Sequence, residues 1–236
     1  MQILKSFSVV KPLDDWQALP AGTKIQEAVQ AELDRWLPMF HGQFMLKIGA
    51  LSNDLNTQCA PITHQFYVNK KESVSADVVA KSRELPFASD TIDTIIAALV
   101  LDYTRYPHQV LREMHRCLDG EGYLVLVNFN PWSFWGAGKL LMRFTESPLW
   151  KAGYYSPFRI HDWLNLLGFE LVSSKFVGYT PPFRNLHWES VEWMGSKYMP
   201  GLGAINIIVA KKKMYRVIPL KSLWKKRSRL IVGQLT

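Results

Sequence analysis

The chain has 236 residues and a mass of 27.2 kDa, which suits one sizeable α/β domain better than two small ones. Hydrophobic residues make up 48% and charged residues 20%, a composition that can bury a core and excludes disorder throughout. The net charge of +8 arises at the C-terminal end, because residues 211–236 hold nine basic and no acidic residues, while residues 1–210 hold 19 basic and 20 acidic ones.

Hydrophobic periodicity predicts strands alternating with helices after an N-terminal arm of residues 1–20. The predicted strands are, in chain order, Phe44–Gly49, His64–Val68, Ala76–Ala80, Thr91–Ala98, Tyr123–Asn128, Phe169–Val177 and Gly203–Ala210. The predicted helices are Thr23–Phe40, Pro107–Leu118, an inserted helix at Gly138–Thr145, and Arg159–Leu167. This alternation predicts a doubly wound, mostly parallel α/β sheet with helices on both faces.

The chain is therefore predicted to consist of an arm (residues 1–20), one domain (residues 21–210) and a basic tail (residues 211–236). Doubly wound sheets bind ligands beyond the carboxyl ends of their strands. We therefore expect the functional residues just after Gly49, Asn69, Ala98 and Asn128.

The stretch Arg83–Trp135 resembles the middle of the type-11 branch of class I S-adenosylmethionine-dependent methyltransferases. That family has an LPF segment, a short acidic turn, an Asp opening the fourth strand, a helix of the form LxExxRxL and a glycine turn before the fifth strand. The matching residues here are Leu85, Pro86, Phe87, Asp90, Asp93, Leu111, Glu113, Arg116, Leu118 and Gly122. The segment Phe129–Gly136 (FNPWSFWG) is similar to a bacterial subgroup of that branch. The resemblance implies a Rossmann-like, seven-stranded methyltransferase sheet with S-adenosylmethionine as cofactor.

The resemblance places the cofactor at Gly49, Ala50, Leu51, Asn69, Ser82, Arg83 and Leu99. The family carries an acid and alternate glycines after the first strand; here Lys47 replaces the acid, and Leu51 and Asn53 replace two glycines. The family also ends its second strand with an acid for the ribose hydroxyls, where this chain has Asn69. Because a neutral amide lacks the charge-assisted hydrogen bonds of a carboxylate, we expect weak cofactor binding through a degenerate cofactor loop.

The segments after the fourth and fifth strands are where such folds hold the methyl acceptor. Tyr103 and Asn130 are the predicted catalytic residues, Asn130 because Asn130-Pro131-Trp132 resembles the Asn-Pro-Pro-aromatic motif with which amino-methyltransferases orient an amine, although that motif follows the fourth strand and this segment follows the fifth. The predicted substrate-binding residues are Asp102, Asn128, Trp132 and Trp135. Two alternatives stay open: the NPW segment as a turn that covers the sheet edge, and the aromatic residues after it as core.

The acceptor is predicted to be a small molecule or an RNA base, and a catalytically inactive binding or regulatory protein of the same fold is the alternative. The basic tail could give non-specific contact with nucleic acid, although a solvated tail explains it as well. No metal site is predicted, because the six histidines and two cysteines lack ligand spacing. A cytoplasmic location is predicted from the absence of a signal peptide or a membrane-spanning run. The oligomeric state is left open.

Overall fold

The computed structural model describes residues 12–70, 76–142, 147–181 and 188–213. Within these ranges seven strands form one sheet. They are β1 (Gly42–Ile48), β2 (Ile62–Asn69), β3 (Val78–Val79), β4 (Ile92–Ala98), β5 (Leu118–Phe129), β6 (Phe169–Val177) and β7 (Ile205–Lys212). The helices are α1 (Gly22–Trp36), α2 (Ala50–Asn53), α3 (Pro107–Cys117), α4 (Phe134–Leu141), α5 (Pro148–Lys151), α6 (Pro157–Leu166) and α7 (Trp188–Tyr198), with 3-10 turns at Trp16–Ala18 and Leu37–Met39.

The strand order is β3-β2-β1-β4-β5-β7-β6. Strands β1 to β5 pair in parallel, and β7 runs antiparallel between β5 and β6. The chain winds outward from β1 to β3 and then crosses back to β4, so the topological switch point lies between β1 and β4. The predicted doubly wound, mostly parallel sheet is confirmed.

Helices cover both faces of the sheet because side chains of successive strand residues point to opposite sides. Met45 joins a buried cluster with Trp16, Val29 and Trp135, whereas its neighbour Leu46 joins the opposite cluster. That second cluster includes Met114 and Trp163, which come from α3 and α6.

Several element bounds differ from the sequence prediction. The inserted helix begins at Phe134, four residues before Gly138, because Ser133 caps it: its Oγ accepts a hydrogen bond from the Gly136 amide at 3.2 Å. Periodicity missed α7 and the two four-residue helices, because the sheet and its loops stabilise them rather than a long apolar stripe.

The LxExxRxL helix fastens the LPF segment to the sheet. The Arg116 guanidinium donates to Glu113 Oε1 at 2.7 Å and to the carbonyl oxygens of Leu85 and Phe87 at 3.2 and 2.9 Å. Glu113 Oε1 in turn accepts the Leu85 amide at 2.9 Å. Asp93 performs a similar task for β1, since its Oδ2 accepts the amides of Gln43 and Phe44. In this region the matched residues Asp93, Glu113 and Arg116 therefore have a structural role, because they hydrogen-bond to the backbone of β1 and of the LPF segment.

The last strand extends two residues beyond its predicted end at Ala210. Lys211 pairs with Glu121 at 3.1 Å, and Lys212 pairs with Asp90 at 2.6 Å while also donating to the carbonyl oxygen of Leu118. Lys213 pairs with Glu170 at 3.3 Å. Three of the nine basic residues assigned to the tail thus contact the domain, and the others lie outside the described residues.

In the part of the chain that the structure describes, no helix combines the length and the apolar character that crossing a membrane requires.

Candidate active site

A cavity of about 690 Å³ opens at the carboxyl ends of β1, β2 and β4. Its volume lies within the usual range of small-molecule sites, and its place beside the switch point is where doubly wound sheets bind ligands. All seven residues predicted to bind the cofactor line it, namely Gly49, Ala50, Leu51, Asn69, Ser82, Arg83 and Leu99. Of the other six predicted site residues, Asp102 and Tyr103 line it as well.

Gly49 forms the turn between β1 and the short helix α2. Its φ is +87°, a conformation that side chains other than glycine rarely adopt, and a Cβ there would lie 2.9 Å from Val100 Cγ2. The turn is held by Ser52, whose Oγ donates to the carbonyl oxygen of Ile48 and accepts the Ala98 amide, both at 2.7 Å. Ser52 thereby holds the ends of β1 and β4 together, next to the backbone of Gly49, which lines the cavity.

The ribose and adenine positions predicted by the resemblance lie on neighbouring walls of the cavity. Asn69 ends β2, and its Oδ1 accepts the Lys70 amide at 2.8 Å. Leu99 follows β4 with a φ of +55°, and its amide donates to the carbonyl oxygen of Val127 at 2.7 Å. A leucine held in this region carries backbone strain, which proteins retain most often at functional sites.

Lys47, at the acidic position of the family motif, does not line the cavity. Its Nζ donates to the carbonyl oxygen of Leu55 at 3.4 Å. Burial lowers the pKa of Lys47, and the carboxylates of Asp54 and Asp77 act in the opposite direction. Although Lys47 reverses the charge of the family's acid, its ammonium group therefore does not line the cavity.

Asp102 lies beyond β4 and is only 3% exposed. Its Oδ2 accepts hydrogen bonds from Asn128 Nδ2 at 3.1 Å and from the Phe129 amide at 3.3 Å, while Oδ1 has no hydrogen-bond partner. Burial raises the pKa of the Asp102 carboxyl to about 8, and the two hydrogen bonds oppose that rise. The cavity wall thus contains a carboxyl group that titrates near neutral pH.

Tyrosines surround this carboxyl group. The Tyr103 hydroxyl donates to the carbonyl oxygen of Pro148 at 3.4 Å, and burial raises the pKa of Tyr103. Tyr154 stacks on Phe129 with ring centroids 4.7 Å apart, and burial raises its pKa too. Both phenols therefore stay protonated at neutral pH.

Four predicted site residues do not line the cavity: Asn128, Asn130, Trp132 and Trp135. Asn128 supports Asp102 from behind. Asn130 is fully buried, and its Nδ2 donates to the carbonyl oxygens of Gly201 and Gly203 at 2.8 and 2.9 Å. Trp135 is core, with Nε1 donating to the carbonyl oxygen of Thr180 at 2.9 Å, while Trp132 is 64% exposed.

Sequence patterns missed other parts of the cavity wall. Pro12, Leu13 and Asp14, assigned to the arm, line it, and Trp16 Nε1 fixes this segment by donating to the carbonyl oxygen of Leu51 at 2.9 Å. Gly153 and Tyr155 line the opposite side. The apolar residues Leu13 and Trp16 are the sequence signal that this segment packs against the domain, since two large apolar residues rarely occur in a solvated arm.

The rim of the cavity is basic. Its charged residues outside the predicted set are Asp14, Lys70, Lys81, Arg105 and Lys151. Among the described residues, no group of three or more His, Cys, Asp or Glu side chains could hold a metal ion.

The cavity fits the cofactor that the resemblance implies. At Gly49 only hydrogen fills the space that a side chain would occupy, so a ligand can approach the backbone there. Leu99 and Val100 offer apolar contact for a planar ring, and Asn69 offers an amide to ribose hydroxyls.

Comparisons with known proteins agree with this architecture. Residues 50–126 match the family described as Methyltransferase domain. The Escherichia coli protein YafS, itself uncharacterised, is 34% identical over 217 residues, which cover 90% of this chain and 85% of YafS.

Two solved structures share the fold at lower identity. One is a chain of the Haloferax volcanii complex between the methyltransferase activator Trm112 and a methyltransferase, with a TM-score of 0.60, 16% identity and coverage of 88% of this chain and 99% of that one. The other is an S-adenosylmethionine-dependent methyltransferase from Thermotoga maritima, with a TM-score of 0.55, 18% identity and coverage of 80% and 99%. The strand order, the cavity at its switch point and these matches together show that the chain belongs to the class I S-adenosylmethionine-dependent methyltransferases.

Proposed function

We propose that this protein transfers the methyl group of S-adenosylmethionine to a small molecule or an RNA base, through a remodelled, weakly binding cofactor site in the cytoplasm. The observation that carries the proposal is that one cavity of about 690 Å³ joins the cofactor positions at Gly49 and Asn69 to Asp102 and Tyr103. Cofactor and acceptor would thus share one cavity, as in-line transfer requires.

In this proposal the chain contributes proximity and orientation, which can supply most of the rate enhancement of such a displacement. Gly49, Ala50 and Leu51 hold the amino-acid end of the cofactor, Asn69 the ribose, and Ser82, Arg83 and Leu99 the adenine. Bound S-adenosylmethionine supplies an electrophilic methyl group. Asp102 and Tyr103 then bind the acceptor, Tyr103 by orienting it.

We expect S-adenosylmethionine to bind with micromolar or weaker affinity. Asn69 stands where the family has an acid, and losing one charge-assisted hydrogen bond typically costs ~1.5–3 kcal/mol, or about one to two decades in affinity. Isothermal titration with S-adenosylmethionine and S-adenosylhomocysteine measures this directly. Absence of heat and of any thermal shift at millimolar ligand would contradict the proposed cofactor.

Asn69→Asp is expected to tighten binding of either ligand about tenfold, because a carboxylate accepts both ribose hydroxyls with charge-assisted hydrogen bonds. The matched control is Asn165→Asp on the exposed face of α6, away from the cavity, which should leave affinity unchanged. Weaker binding by Asn69→Asp would show that Asn69 is not the ribose position.

The second candidate function is a catalytically inactive binding or regulatory protein. The observation that favours it is the loss of two motif residues in the cavity wall, where Leu51 replaces a glycine and Asn69 an acid. The location of Lys47 weakens this alternative, because this altered position does not line the cavity. Binding of S-adenosylhomocysteine as tight as that of S-adenosylmethionine, without turnover on any amine, hydroxyl or RNA acceptor, would favour it.

The basic rim is the reason that an RNA base stays among the proposed acceptors, since Lys70, Lys81 and Arg105 could neutralise phosphates. The proposed contact between the tail and nucleic acid falls mostly on residues 214–236, which lie outside the described residues.

A further inference from the structure

The arm that precedes the domain places a carboxylate in the cavity wall. Asp14 lines the cavity and is exposed, so a ligand in the cavity can contact its carboxylate. Leu13, directly before it, belongs to the same buried hydrophobic cluster as Trp16 and Leu51. Trp16 Nε1 also donates to the carbonyl oxygen of Leu51 at 2.9 Å. This segment of the arm is therefore fixed against the turn that follows β1.

Asp14 lies close to the residues proposed to hold the amino-acid end of the cofactor. Two residues separate Asp14 from Trp16, a distance of at most about 7 Å along an extended chain. Trp16 in turn is hydrogen-bonded to Leu51, which lines the cavity together with Gly49 and Ala50. The arm and the β1 turn thus form adjoining parts of one cavity wall.

The amino-acid end of S-adenosylmethionine carries an ammonium group, and the charged residues of the cavity are mostly basic. Among the described residues that line it, the basic ones are Lys70, Lys81, Arg83, Arg105 and Lys151, and the acidic ones are Asp14 and Asp102. Asp102 is 3% exposed, and burial raises its pKa to about 8, so it is mostly uncharged at neutral pH. Of the described lining residues, Asp14 therefore supplies the exposed carboxylate that an ammonium group needs.

We propose that Asp14 binds the α-ammonium group of S-adenosylmethionine, so that the arm supplies the negative charge that Lys47 removes from the family motif. This inference rests on the proposed function and adds a cofactor-binding residue from outside the matched family region, residues 50–126. A carboxylate accepts several hydrogen bonds through its two oxygens, so Asp14 can bind an ammonium group alongside a donor from the protein.

Asp15, the next residue in the arm, has a different role. Its Oδ1 accepts the Gln17 amide at 2.9 Å and thereby caps the 3-10 turn at Trp16–Ala18. Asp15 is exposed like Asp14, but it does not line the cavity. The same change of charge can therefore be made at two neighbouring positions, only one of which belongs to the cavity wall.

The test compares S-adenosylhomocysteine with its deamino analogue, in which a hydrogen replaces the α-amino group and the carboxylate and nucleoside are unchanged. Titration calorimetry at neutral pH measures both affinities, with displacement of S-adenosylhomocysteine for the weaker ligand. We expect the native protein to bind S-adenosylhomocysteine about tenfold more tightly than the analogue, because only the former makes the charge-assisted hydrogen bond. Asp14→Asn should weaken S-adenosylhomocysteine binding about tenfold and change binding of the analogue by less than about twofold, since asparagine keeps the size of the side chain and removes its charge.

The matched control is Asp15→Asn, which keeps a residue able to cap the turn and should change both affinities by less than about twofold. Equal losses of S-adenosylhomocysteine affinity in the two variants would overturn the inference, because they would reflect net charge rather than a contact. Native protein that binds the deamino analogue as tightly as S-adenosylhomocysteine would overturn it without any variant. Failure of the native protein to bind S-adenosylhomocysteine at all would instead overturn the proposed function, so the two failures are distinguishable.

Discussion

Replacing Gly49 by valine is expected to weaken S-adenosylmethionine binding about 100-fold or more, which corresponds to about 2.7 kcal/mol. The backbone at Gly49 has a φ of +87°, which a β-branched residue adopts only with strain, and a Cβ would already lie 2.9 Å from Val100 Cγ2. The side chain would also fill the cavity wall where the ligand approaches the backbone. The measurement is titration calorimetry together with thermal unfolding, because strain in the turn should also lower the unfolding midpoint.

The matched control is Gly201→Val. Gly201 lies outside the cavity and nothing lies within 4 Å of the position that its Cβ would take, so this substitution adds the same side chain without a clash. Its effect on affinity should stay within about threefold, or about 0.6 kcal/mol. Native-like binding by Gly49→Val would show that the cofactor does not contact the β1 turn.

Asn130→Ala is expected to lower the free energy of unfolding by about 3 kcal/mol. The substitution leaves the carbonyl oxygens of Gly201 and Gly203 without their donor and the Trp132 amide without the Oδ1 that accepts it at 3.1 Å. Because Asn130 is fully buried, water cannot replace these bonds at no cost. Denaturant titration measures the loss, and the affinity of the folded protein for S-adenosylmethionine should change less than about twofold, or about 0.4 kcal/mol.

Asn165→Ala, on the exposed face of α6, serves as the control and should change stability by no more than about 0.5 kcal/mol. The pair of variants separates the structural role of Asn130 from the catalytic one predicted from the NPW segment. A stable Asn130→Ala variant that binds the cofactor but no longer transfers methyl groups would favour the catalytic role.

The residues predicted to bind the cofactor line one cavity because a local rule places them at one edge of the sheet. Gly49 ends a predicted parallel strand, Asn69 and Leu99 directly follow two others, and such strands end at one edge of the sheet. The same rule did not bring Asn130 to the cavity, because its amide donates to the carbonyl oxygens of Gly201 and Gly203. Position after a strand fixes the edge at which a residue lies, whereas the direction of its side chain depends on packing.

Sequence alone determined the alternation of strands and helices, the doubly wound sheet, and the glycine that the β1 turn requires. These features follow from hydrophobic period, backbone conformation and short-range spacing, all of which are local properties of the chain.

Only the tertiary structure decided which distant residues share the site. It brings Asn128 of β5 and Tyr154 to Asp102, it sets Leu13 of the arm in the cavity wall, and it directs Lys47 to Leu55 instead. The raised pKa of Asp102 likewise has no sequence signature, because burial causes it and burial depends on contacts between segments far apart in the chain.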